Sequence, residues 1–423
     1  MTVRLVPLTH QPVPHRAEAL LDQLAAGYRW DDVEAAARAG IPVVTGMNPW
    51  WAPLIRACGG MCANDMQRMR GRSHEAVALA ESHFHVPGEF CTVIKSQIGG
   101  LGLRLRQPGG TAVRRILQFG GACEPSVTVG ELARGAGYDV HVVQPLTAFK
   151  MDPARRPEYI AFYESEVQRV AHWLSGREVD EDRLAELLRV KNSITRRIIR
   201  VLDLRLRNPL YFPMTRVSQL LMASGDYHAV LNFEEQRARF IELLDSLIAE
   251  LEWAADQPVG PYVPLVLAGN MFNTDVTKTI DQSGGAIVGS LMAITTLYRE
   301  DVSPVRALAE YLLDMQLKGE SSDQAGAVAS ARKFRIEEEV KRTRAKGVIV
   351  SGTTGCPYTS LTRQMEQDYF NKKGIPVLAV EGTAHADPVT EEIKMRVKAF
   401  IEMLADDPPI KKRHLPVLGV PPQ

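Results

Sequence analysis

Gly347-Val348-Ile349-Val350-Ser351-Gly352-Thr353-Thr354-Gly355-Cys356 decides how this chain is read. A short run of small and β-branched residues predicts a strand of an open parallel sheet. The glycines and hydroxyls that follow predict a loop at its carboxyl end, where open α/β sheets bind ligands. Cys356 therefore sits where such a sheet places chemistry. Working outward, Cys123 follows a second run of this kind, Ile116-Leu117-Gln118-Phe119-Gly120-Gly121-Ala122. Cys91 follows Val86-Pro87-Gly88-Glu89-Phe90 and opens the helix-like stretch Thr92-Val93-Ile94-Lys95. Helix N-termini and positive neighbours lower a thiol's pKa and make it a better metal ligand. A soft-metal site built from three distant loops is the expectation, with an iron–sulfur cluster as its leading form. The competing reading is three inert, buried cysteines, a common state for the free thiol.

The surrounding pattern predicts an α/β fold. Helical spacing covers Ala17 to Leu24 and Val33 to Ala37, followed by the apolar run Ile41-Pro42-Val43-Val44. Pro42 predicts a strand that begins late or lies at an edge. Strands at Arg115–Gly120 and Tyr138–Gln144 flank a helix from Thr128 to Ala136, a βαβ unit. From about Arg156 to Ala255 the apolar spacing is purely helical. The α/β rhythm returns with strands at Pro264–Ala268, Ala286–Gly289, Val348–Val350 and Val377–Val380. A final helix is expected to open with Asp387 as N-cap and Pro388 at its first position. Its apolar stripe is Ile393, Val397, Phe400, Ile401 and Leu404. The expected architecture is two Rossmann-like or flavodoxin-like parallel-sheet domains with a helical segment between them. The boundaries are 1–150, 151–260 and 261–406, followed by a Pro-rich tail at 407–423. The two α/β halves could be pseudo-equivalent.

Composition narrows the classes. Fifty Lys+Arg balance fifty Asp+Glu in 423 residues, so no overall field attracts nucleic acid or anionic lipid. A local basic patch remains open around Arg196-Arg197. No apolar run is long enough to span a bilayer, and no long apolar signal segment follows Met1. Five cysteines in a chain of this length do not suggest a disulfide-stapled module, and a reducing, cytoplasmic setting is expected. There is no GxxxxGK[ST] phosphate loop and no GxSxG elbow. The glycines at Gly99-Gly100-Leu101-Gly102 do not complete a dinucleotide fingerprint. Cys58 and Cys62 frame a lone C-x₃-C; with Ile55 they fit one helical face, which favours core packing and leaves them reserve ligands. His74, His83 and His85 match no metal-binding pattern, so surface or core roles are expected. Catalytic residues are not identified by any pattern.

Most of the chain, strongly after about residue 260 and loosely before it, resembles the 2-hydroxyacyl-CoA dehydratase family, which includes subunits of ATP-dependent benzoyl-CoA reductases. The resemblance rests on Gly347-Val348-Ile349-Val350 leading to Cys356, then Gly374-Ile375-Pro376-Val377-Leu378-Ala379-Val380-Glu381, and on Ala399-Phe400-Ile401-Glu402. Leu265-Val266-Leu267-Ala268-Gly269-Asn270 with Gly284-Gly285-Ala286-Ile287-Val288 matches the preceding βαβ unit, and Leu54-Ile55-Arg56-Ala57-Cys58-Gly59 a helix end upstream. Where the family's last strand often runs on into Glu-x-Asp, this chain has Glu381-Gly382-Thr383.

The resemblance implies that Cys91, Cys123 and Cys356 hold one [4Fe-4S] cluster with an iron left open. It implies a heterodimer with a homologous second subunit, and a separate ATP-hydrolysing iron–sulfur activator that delivers a low-potential electron. The implied reaction forms a ketyl radical on an acyl-CoA thioester and eliminates water. A benzoyl-CoA (aromatic-ring) reductase subunit is the nearest alternative. A non-catalytic electron-transfer or scaffold subunit, its cluster closed by Cys58 or Cys62, is another. Ser351, Thr353, Thr354, Asn270 and Asn273, in loops after two strands of the second half, are candidates to hold the thioester. The two asparagines could equally serve only as helix caps.

Overall fold

The computed structural model describes residues 16–26, 30–46, 49–63, 72–106, 112–119, 124–143, 152–225, 231–269, 274–291, 296–317, 327–382 and 389–405. Their strands form two all-parallel sheets of four. The first contains β1 (Val43–Thr45), β2 (Met61–Ala63), β3 (Arg115–Phe119) and β4 (Asp139–Val143), in the order β2-β1-β3-β4. The second contains β5 (Val263–Gly269), β6 (Gly285–Ser290), β7 (Gly347–Thr353) and β8 (Val377–Gly382), in the order β6-β5-β7-β8. The two orders are the same. In each half the second strand lies on one side of the first and the third strand on the other. That creates a topological switch point between β1 and β3, and another between β5 and β7.

Matching glycines border the two switch points. Gly46, just past β1, has φ +143°, and a Cβ there would stand 2.3 Å from the Leu117 carbonyl oxygen of β3. Gly269, at the end of β5, has φ +127°, and a Cβ would stand 1.9 Å from the Ser351 carbonyl oxygen of β7. Both positions exclude any side chain, so backbones close together where the crevice opens. β5 and β7 are buried along their whole length, consistent with their unbroken small and apolar sequences.

Residues between the sheets are helical. Arg156–Ser175 closes on Gly176 in a left-handed conformation, φ 69°. Glu181–Arg205 is capped by Asp180, whose carboxylate accepts from the Arg183 amide at 2.9 Å. Met214–Gly225 and Glu234–Ala254 follow. Packing is interleaved along the chain. The first helix, Arg16–Ala26, buries Ala17 and Leu21 in one core with Phe240, Leu244 and Leu265. The helix Pro304–Leu317 returns to the first half, burying Leu308 and Leu312 with Trp51, Leu54 and Tyr163.

The structure corrects several expectations. The strand after Pro42 does begin late, but β1 is interior rather than an edge. Cys58 and Cys62 do not share a helical face: Cys58 ends the helix Ala52–Ala57, Gly59 turns with φ +77°, and Cys62 lies in β2. The last helix is Glu391–Ala405, a later start than expected, with the Thr390 hydroxyl accepting from the Ile393 amide at 3.3 Å; Asp387 and Pro388 lie outside the described residues. The Arg196-Arg197 patch is neutralised by Glu300 and Asp245, at 2.8 and 2.7 Å. No helix among the described residues is long and apolar enough to cross a membrane. The Pro-rich tail lies outside the described residues.

Candidate metal centre at the seam of the two halves

Cys91 and Cys356 come from opposite halves of the chain and meet. Each is the N-cap residue of a helix, Cys91 of Thr92–Leu105 and Cys356 of Pro357–Lys372. A hydrogen bond joins their sulfurs. Both are buried, at 5% and 7% exposed, in one apolar cluster with Ala80, Val86, Ile94 and Ile98.

The backbone explains why they meet. The turn after β7 packs directly against the loop that enters the helix Thr92–Leu105. The Thr92 amide donates to the Thr354 carbonyl at 3.1 Å, and the Thr92 hydroxyl donates to the same oxygen at 3.3 Å. Thr354 is tied in turn to the next strand, its amide donating to the Gly382 carbonyl at 2.9 Å. Gly355 has φ +74°, and a Cβ there would stand 2.5 Å from the Phe90 carbonyl oxygen. Only glycine permits both the left-handed turn and this approach. From the other side, Lys95 braces the loop: its buried ammonium donates to the Gly88 carbonyl at 2.5 Å and pairs with Glu81 at 2.6 Å.

Charge logic at the pair favours a metal. The Cys91 pKa is raised, first by its hydrogen bond to Cys356 and then by burial. The Ile94 and Val93 amides pull the other way, favouring the thiolate without making a full capping bond. Two adjacent buried thiolates repel, so without a cation the pair holds its protons. A bound metal reverses that balance, because a coordinating thiol is deprotonated outright. The donor set, two soft sulfurs at helix N-termini, fits a thiolate-ligated iron centre.

Cys123 lies outside the described residues. The helix Glu124–Gly135 begins one residue after it, and that helix packs Val129 and Leu132 against the Cys91–Cys356 cluster. In sequence, Cys123 and Cys356 each fall between the third strand of their half and the following helix. Asn270 and Asn273 also lie outside the described residues. Ser351 and Thr353 are buried at the end of β7, and Thr354 is exposed at the seam.

The reserve candidates lie elsewhere. Cys58 and Cys62 pack with Trp51, Leu54 and Leu117, in a different core. Burial pushes their thiols up to about 11 and about 12, the first moderated by a hydrogen bond with Ser175 and the second by the Arg56 charge. His74, His83 and His85 are exposed, and among the described residues no three His, Cys, Asp or Glu side chains converge. Residues that sequence reasoning missed here are Gly355 and Lys95. In sequence Gly355 reads only as part of a loop, and Lys95 as an ordinary surface lysine.

No curated protein matches the chain. The 2-hydroxyglutaryl-CoA dehydratase D-component family matches residues 52–404, a span holding both sheets almost entire and all five cysteines. Together with the duplicated parallel sheets, that match establishes that the chain belongs to the 2-hydroxyglutaryl-CoA dehydratase D-component family.

Proposed function

We propose that this chain is the [4Fe-4S]-bearing subunit of a 2-hydroxyacyl-CoA dehydratase, with Cys91, Cys123 and Cys356 as the cluster ligands. The observation that carries the proposal is the sulfur–sulfur contact between Cys91 and Cys356 across the seam. Three cysteines each immediately preceding a helix would set a negatively charged thiolate–cluster assembly against three helix N-termini, a favourable arrangement. When bound, the cluster supplies single-electron chemistry and an iron open to the thioester carbonyl.

The chain's own residues exclude water and orient. The apolar cluster around Cys91 and Cys356 keeps solvent from the thiolates. Ser351, Thr353 and Thr354, with Asn270 and Asn273, are assigned to the thioester; Thr354 is the exposed member beside the sulfurs. The partners in this reading are a homologous second subunit, forming a heterodimer, and a separate ATP-hydrolysing activator. The reserve reading, a scaffold cluster closed by Cys58 or Cys62, is disfavoured because both pack in another core.

The test is spectroscopic. Anaerobically purified chain should show an iron–sulfur spectrum that shifts when a 2-hydroxyacyl-CoA is added and stays unchanged with benzoyl-CoA. A shift with benzoyl-CoA alone would move the assignment to the aromatic-ring reductases. A spectrum indifferent to both would remove the substrate site from this chain.

A further inference from the structure

A cavity of about 150 Å³ lies along edge strand β6, walled by the end of helix Glu181–Arg205 and by helix Ala327–Thr343. That is room for several waters, and enough for a phosphate group. Two arginines in its wall have unused hydrogen-bonding capacity. Arg205 is 4% exposed; its Nε donates to the Phe212 carbonyl at 2.6 Å, while its buried Nη2 has no partner. Arg342 forks Nε and Nη2 onto Glu339 at 3.1 and 2.7 Å, leaving Nη1 buried without a partner.

The charges differ in kind. Glu339 neutralises Arg342, but no carboxylate among the described residues lies within 4.0 Å of Arg205. Asp281 acts on it only at longer range, its carboxylate being engaged by the Thr215 hydroxyl at 2.5 Å. Burial pulls the Arg205 pKa down to about 10, which still leaves the group charged at neutral pH. A buried guanidinium whose carboxylate partner acts only from beyond 4.0 Å is costly, and water can satisfy a donor but not the charge. An oxyanion satisfies both.

We propose that this cavity binds a phosphate-class oxyanion between the guanidinium groups of Arg205 and Arg342. If the proposed function holds, its natural source is a phosphate of the acyl-CoA substrate, the inference resting on that reading only for the source. β6 stands two strands from β7 in the sheet, about 10 Å at ~4.8 Å per strand, so the cavity and Cys356 belong to neighbouring parts of one sheet. Free inorganic phosphate is the other source with the same chemistry.

Calorimetric titration of the full chain with inorganic phosphate, CoA and phosphate-free pantetheine tests this. Phosphate and CoA should bind saturably, and Arg205→Met or Arg342→Gln should weaken both by at least about tenfold, the equivalent of one charge-assisted hydrogen bond. Pantetheine binding should be unchanged by either substitution. Competition between CoA and phosphate identifies CoA as the source; phosphate binding without competition identifies free phosphate. Should Arg205→Met fail to fold, Arg342→Gln on the partly exposed partner decides. No saturable phosphate or CoA binding by the wild-type chain, or binding unaltered in Arg342→Gln, overturns the proposal. Iron content of the same preparations reports on the cluster separately: absent anion binding with iron present defeats this inference alone, and anion binding without iron defeats only the cluster.

Discussion

The protonation of Cys91 depends on one neighbouring atom. Its largest raising influence is the Cys356 sulfur, and the opposing Ile94 and Val93 amides belong to its own helix. Cys356→Ala should therefore lower the Cys91 pKa in the iron-free chain. The pH midpoint of Cys91 alkylation should move to lower pH, and an unmoved midpoint would show that the sulfurs do not interact. Cys62 obeys the burial rule instead, raised from an ordinary 9.0 to about 12. Its unfolded form loses a proton first, so stability is full below pH 9 and declines up to about 12. The expected slope is about 1.4 kcal/mol per pH unit. In denaturant titrations across that window, Cys62→Ala should flatten this slope; an unchanged slope would assign it to other groups. Cys91 and Cys356 were legible because their residue type and position carried the signal. Arg205 was not: arginine reads as surface, and only the fold reveals one buried with no described carboxylate within 4.0 Å.

Between elements, glycine decides how closely backbones approach. Gly99 lies inside helix Thr92–Leu105, and a Cβ there would stand 1.7 Å from the Ala76 carbonyl oxygen of helix Ser73–His83. Alanine is the better helix former by about 1 kcal/mol, but this clash is with backbone and the helices must part. Gly99→Ala should lower stability by about 1–3 kcal/mol in a denaturant titration. Stabilisation would mean the helices are not in contact. These glycines do not complete a dinucleotide fingerprint, and close helix packing calls for small residues just as phosphate approach does. The long helices and the strands β3, β5, β7 and β8 were legible through period and apolar runs. β2 was not, since three residues carry no period and Cys58 and Cys62 imitate helical spacing. The final helix start was misplaced because Asp387-Pro388 is a stronger local signal than Thr390, which provides the cap.

At the scale of the whole molecule, two sheets share one strand order, the sequence carries a cysteine after the third strand of each, and Cys91 meets Cys356 from a helix start. The crossing of helix Arg16–Ala26 onto the second half's core was invisible in sequence, because amphipathic spacing shows that a face is buried but not against what. With no phosphate loop of the P-loop type, the purified chain alone should hydrolyse no ATP. Robust turnover would contradict the division of labour with an activator. The central claim is that Cys91, Cys123 and Cys356 serve one cluster, and the most direct measurement is iron and acid-labile sulfide per chain after anaerobic purification. Wild type and Cys58→Ala should retain both, while Cys91→Ala, Cys123→Ala and Cys356→Ala should each lose most of them, because a site shared by distant loops fails as a unit. Full iron and sulfide in Cys356→Ala would contradict the account.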